Sequence, residues 1–89
     1  MSFAFVSLYY EGEVRIINKE QLRITIGNNI RLERLARKIS IEELAEQLNL
    51  TPGFVGLIER GTRGTSAYTL ARLSEIFNIP IDQIFNKSR

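Results

Sequence analysis

The chain has 89 residues, enough for one domain around one modest core. Apolar residues make up 44% and charged residues 25%, the balance of an ordinary globular protein, with a formal net charge of only +2. Cysteine and histidine are both absent. Their absence excludes thiol catalysis, disulfide staples, Cys/His zinc sites and histidine acid–base chemistry.

No carboxylate spacing suggests a metal site and no glycine-rich loop cradles phosphate, so the sequence reads as a non-enzyme with no cofactor and no metal. A charge of +2 does not by itself draw a protein to nucleic acid; local placement of Lys and Arg must do so. No apolar run approaches the roughly 20 residues of a membrane span. No membrane partner is therefore expected, and a cysteine-free chain fits a reducing cytoplasm.

Residues 1–25 read as an N-terminal β extension. FAFVSLYY at 3–10 is rich in aromatic and branched residues, as strands are. Glu11-Gly12 suits a tight turn, and Val14 to Ile17 reads as the return strand. LRIT at 22–25 alternates and predicts a third strand, giving a β-hairpin or a small β-meander. The rival reading has Asn18 capping a helix that runs through Leu22; the strand is preferred. No register leaves one face of the hairpin wholly polar. It is a dimerisation sheet, or a hairpin packed on the helical body, or its first few residues are disordered.

Residues 26–38 predict a helix with Ile26, Ile30 and Leu35 inward and a basic face of Arg31, Arg34, Arg37 and Lys38. The next stretch, SIEELAEQLNLTPGFVGLIERG at 40–61, carries the densest signals. Ser40 with Glu43 has capping-box spacing. Leu44, Ala45 and Leu48 share a helical face, and Asn49 suits the left-handed residue that stops a helix. Thr51 can cap a second helix with Pro52 in its first turn. Val55 and Ile58 form its apolar face, and Gly61 ends it. Two helices joined by about four residues fit a helix-turn-helix motif, here 41–60, whose second helix enters the major groove of DNA. After a polar loop at 62–65, Ser66 caps a helix at 67–77 with Leu70, Leu73 and Phe77 inward; Tyr68 is a core residue or a phosphate hydrogen-bond donor, the core being preferred. Asn78 ends it. A short fifth helix from Pro80 or Ile81 brings Ile84 and Phe85 to the core. Residues 86–89 read as a frayed tail.

Residues 26–85 resemble the helix-turn-helix domain of the Cro/cI-type (XRE family) phage repressors. The matching segments are IGxxIRxxR at 26–34, SIEELAEQL at 40–48, LTPGFVGLIERG at 50–61 and SAYTLARLSEIFNIPIDQIF at 66–85. The resemblance covers about two-thirds of the chain and excludes residues 1–25. It implies a mainly α fold, a five-helix lambda-repressor-like bundle that binds double-stranded DNA as a homodimer. It also implies an ion pair between Arg34 and Glu59 that fixes the recognition helix against the first helix.

By the same resemblance, base contacts fall to Pro52, Gly53, Gly56 and Leu57. None of these has a polar side chain, whereas direct readout relies on groups such as Arg, Asn or Gln. Ile41 stands where the family often has a phosphate-binding glutamine. The remaining candidates for phosphate are Ser40, Thr51, Arg60, Thr62, Arg63 and Thr65, with the backbone at Gly64. The expectation is a sequence-specific transcriptional regulator acting as a dimer on a palindromic operator. The alternative is an antitoxin-like or other protein-interaction module, in which the apolar Pro52–Leu57 surface meets a protein partner.

Overall fold

The computed structural model describes residues 18–85. These form five helices: α1 (Lys19–Ala36), α2 (Ile41–Leu48), α3 (Pro52–Glu59), α4 (Ala67–Phe77) and α5 (Asp82–Phe85). Among the described residues there is no strand. Residues 22–25, expected as the third strand of a meander, are instead helical and lie within α1. The fold class is therefore helical throughout this region, which corrects the mixed reading. The cause lies at Asn18. Its side chain accepts a hydrogen bond from the Gln21 amide at 2.7 Å, and Gln21 Oε1 accepts one from the Asn18 amide. That reciprocal capping box starts the helix at Lys19 rather than at Ile26. Leu22, Ile26 and Ile30 then recur every fourth residue along the face that meets the core. The expected strands at 3–10 and 14–17, and the tail at 86–89, lie outside the described residues.

The core contains Ile26 and Ile30 of α1, Leu44, Ala45 and Leu48 of α2, Val55 and Ile58 of α3, Leu73 and Phe77 of α4, and Ile84 of α5. Each helix contributes its apolar stripe, and most of the stability comes from removing these side chains from water. Three residues expected inside are not there: Leu35 is 46% exposed, Phe85 42% and Tyr68 71%.

Four helix starts are capped by a side chain, from Asn18, Ser40, Thr51 and Ser66. The same four helices end in a residue with positive φ: Lys38 (57°), Asn49 (61°), Gly61 (78°) and Asn78 (56°). The amide after each one bonds back across the last turn, Ile39 to Arg34, Leu50 to Ala45, Thr62 to Leu57 and Ile79 to Ser74. These are Schellman ends, which satisfy carbonyls the helix leaves open. Lys38 is the outlier, because a lysine gains nothing locally from the left-handed conformation.

α1 is the hub. It packs on α3, α4 and α5. Asn29 Nδ2 donates to the Ile84 carbonyl at 2.7 Å and ties α5 to it. Arg37 donates to the Phe77 carbonyl at 2.7 Å and lies 4.8 Å from the Phe77 ring centroid, closing the C-terminus of α4 with a cation. The tightest approach is at Gly27. A Cβ there would lie 2.7 Å from the Glu59 carbonyl oxygen and closer still to that of Ile58. Only glycine lets α1 come this close to the end of α3.

Two stability measurements test this account. Gly27→Ala gains helix propensity of about 1 kcal/mol but overpacks backbone against backbone, at about 3 kcal/mol. Chemical denaturation should show a net loss of about 2 kcal/mol; an unchanged midpoint would mean that the seam is not tight. Lys38→Gly should do the opposite. Relieving a left-handed lysine is worth about 1–2 kcal/mol, less about 1 kcal/mol of glycine entropy, so the melting temperature should rise by a few degrees.

Candidate nucleic-acid interface

α2 and α3 meet through residues 49–51. Asn49 reverses the chain in the left-handed conformation, and Thr51 Oγ1 accepts from the Phe54 amide at 3.1 Å to start α3. Val55, Ile58 and Glu59 of α3 are buried, while Thr51, Pro52, Gly53 and Arg60 are exposed and Phe54 and Leu57 half-buried. This leaves one side of α3 open to a ligand.

Glu59 decides the charge of that side. Between Gln47 and Ser74 it is the only acidic residue. Its carboxylate is turned inward and held by both arms of one guanidinium: Arg34 Nε donates to Oε2 at 2.7 Å and Nη2 to Oε1 at 3.0 Å. The Arg34 side chain is 12% exposed and that of Glu59 5%. The third arm, Nη1, donates to the Ile39 carbonyl at 3.0 Å. A parallel fork of this kind fixes orientation as well as charge. The hydrogen bond to Glu59 raises the Arg34 pKa above its ordinary value, against the lowering effect of burial. A raised basic pKa contributes stability that is fully present below the ordinary value, so Arg34 stays charged across the physiological range.

The cations around α3 sit close to it. The Arg60 guanidinium folds back over Gly56, with Nη1 3.2 Å from where a Cβ on that glycine would be. The Arg63 guanidinium lies 5.8 Å from the centroid of the Phe54 ring. Among the described residues neither forms a salt bridge. Thr62 and Gly64 are exposed beside Arg63, and Thr65 is half-buried at the wall of a cavity of about 210 Å³. Pro52 and Gly53 stand clear at the start of α3, and nothing lies within 4 Å of a Cβ placed on Gly53.

The start of α2 is different. Ser40 Oγ accepts from the Glu43 amide at 3.0 Å, and Glu43 Oε1 accepts from the Ser40 amide at 2.8 Å. Ser40 is engaged in this box, and the first turn carries Glu42 and Glu43. A phosphate would meet two carboxylates there. Ile41 packs against the core.

Two further basic residues bear on the site. Arg23, placed by sequence in a strand, donates from Nε to the Gly61 carbonyl at 3.4 Å and packs beside Gly64. The Asn18–Gln21 spacing was the one signal that could have put it on a helix. Arg37, read as surface, is bound within the fold to Glu33 and Phe77. Among the described residues no helix is long and apolar enough to cross a membrane, and no acidic cluster could hold a metal.

The helix-turn-helix family HTH_3 matches residues 30–84, and the chain belongs to it. The family is that of the XRE-type DNA-binding transcriptional regulators. A relative from Sinorhizobium medicae (strain WSM419), an uncharacterized HTH-type transcriptional regulator, is 36% identical over 62 residues. Those residues are 70% of this chain but 45% of the relative, so the chain spans less than half of its length. The restriction-modification controller protein C.AhdI from Aeromonas hydrophila is similar in structure, with a TM-score of 0.66 and 30% identity over 71% of this chain and 96% of that one. The clp gene regulator ClgR from Corynebacterium glutamicum matches with a TM-score of 0.69 and 25% identity, over 75% and 71% of the two chains.

Removing one partner of the Arg34–Glu59 pair leaves the other charge buried. Glu59→Gln should lower unfolding free energy by about 3 kcal/mol. Arg34→Met combined with Glu59→Leu should regain at least half of that, since an apolar pair of similar volume needs no desolvation. If the losses of Arg34→Met and Glu59→Leu measured singly simply add in the double variant in a denaturant titration, the residues are not coupled.

Proposed function

We propose that this chain is a sequence-specific DNA-binding transcriptional regulator, acting as a dimer on a roughly palindromic operator. A dimer sets two α3 helices about one DNA turn apart. The observation that carries the reading is the charge of the α3 side. Its one acid between Gln47 and Ser74 is buried and held by Arg34, while among the described residues neither Arg60 nor Arg63 forms a salt bridge. Such a surface meets a polyanion without repulsion even on a chain of small net charge.

The contacts divide by position. Arg63, Thr62, the Gly64 backbone and Thr51 flank α3 and suit phosphate, which positions the protein without reading sequence. Pro52, Gly53, Gly56, Leu57 and Arg60 lie on the side that would face the base edges. Thr65 lies at the inner border of this set. Ser40, tied to Glu43, and Ile41, packed on the core, contribute less. The guanidiniums of Arg60 and Arg63 weigh against a purely apolar protein-docking role for the same surface.

Binding of the full chain to genomic fragments, followed by fluorescence anisotropy at about 50 mM salt and upward, tests the proposal. Binding should weaken steeply with salt and favour particular fragments. Arg63→Ala should weaken all fragments alike and reduce the slope of log affinity against log salt by about 1. Absence of binding to every fragment at the lowest salt would overturn the function. An unchanged slope would remove Arg63 from the interface.

A further inference from the structure

α3 has an odd composition for a helix that reads DNA. One face of α3 runs through positions 53, 56, 57 and 60, with Gly53 and Arg60 exposed, Leu57 half-buried and Gly56 buried, and the first three are Gly, Gly and Leu. None of those three side chains can donate or accept a hydrogen bond. Taken residue by residue, the strip has no chemistry for naming bases.

Side chains do not cover the surface at their own Cα. In a helix the Cα–Cβ bond tilts toward the N-terminus, so a long side chain covers the turn before it. Arg60 shows this. Its guanidinium lies over Gly56, with Nη1, Nη2 and Cζ at 3.2, 3.7 and 3.8 Å from the position of a Cβ on that glycine. Gly56 is buried beneath it. A Cβ at 56 would crowd the guanidinium and shift it from this position. At 53, one turn further, nothing stands within 4 Å. The two glycines leave a lane along α3, and the Arg60 fork lies at its head with no acidic partner among the described residues.

Resting on the DNA-binding function above, we infer that Arg60 is the base-reading residue of this protein, delivered over Gly56 to donate to O6 and N7 of a guanine in the major groove. A guanidinium fork matches those two acceptors, and a thymine or cytosine offers no such pair. Arg60 therefore sets specificity, while Arg63, drawn to Phe54 at the flank, sets position. Gly56 is the positioning residue: it touches no base and acts by leaving room for the fork.

The test is selection of bound duplexes from a randomised library by the full-length chain, wild type against Arg60→Lys and Gly56→Ala. Arg60→Lys keeps the charge and loses the fork. Wild type should retain sequences with one dominant G·C pair in each half-site. Arg60→Lys should lose that preference, bind the wild-type consensus roughly ten- to a hundredfold more weakly, and keep the salt slope. Gly56→Ala should blur the same position only, with the fold intact by circular dichroism. If wild type selects a sequence and Arg60→Lys selects the same one, Arg60 is a phosphate contact and the inference falls while the function stands. A wild-type consensus without a G·C pair in the half-site has the same meaning. If wild type retains no duplex at all, the function falls and the inference falls with it.

Discussion

The orientation of α3 depends on one seam, the contact between α1 and the end of α3. Three contacts make the seam. At Gly27 the backbones approach to a distance that no side chain permits. At Gly61 the chain turns with φ of +78°, and a Cβ would lie 2.8 Å from Ile24 Cα. Between the glycine contacts and the turn after α1, Arg34 grips Glu59 with two donors and the Ile39 carbonyl with a third. Close packing resists translation along the seam, and the planar fork resists rotation. The net free energy of such a pair is small, because desolvation opposes attraction. Its value lies in making other orientations of α3 expensive, since each leaves a buried charge without a partner.

The same ion pair sorts charge across the molecule. Glu59 is removed from the surface, while Glu42, Glu43 and Glu46 stay exposed on α2. Glu59 is thus taken out of the surface, and no other acidic residue stands in the chain between Gln47 and Ser74. At physiological salt a charge acts over about 8–10 Å, so which residues stand beside α3 matters more than the net charge. Placement achieves what total charge does not.

Much of the helical frame was legible because its signals are local. The Ser40–Glu43 box, the caps at Thr51 and Ser66, and the left-handed stops at Asn49 and Asn78 each act within a few residues. The start of α1 uses the same device at Asn18 and Gln21, but the alternation of LRIT favoured a strand, and a two-residue period over four residues is weak against a capped helix. Leu35 and Tyr68 fail on phase. Leu35 is nine residues from Ile26, and Tyr68 is nine from Phe77. At 3.6 residues per turn that is about half a turn, so each faces away from its supposed neighbour. What sequence could not show depends on distant partners. Gly27 is special only because Ile58 and Glu59 come to it, and Arg37 is structural only because Phe77 ends nearby. Arg60 stood among the phosphate candidates, but the fold of its guanidinium over Gly56 was not legible, because a position on a helical wheel marks where a side chain begins, not what it covers.

Gly53 has a consequence for how this surface can change. It lies in the first turn of α3, faces solvent, and has open space where a side chain would stand. The fold therefore places almost no constraint on what occupies it, and replacing a helical glycine adds stability rather than removing it. Most positions near a recognition surface trade stability against binding. This one is decoupled from that trade. A lineage, or a designer, could install Asn, Gln or Arg there while the rest of the domain registers no strain.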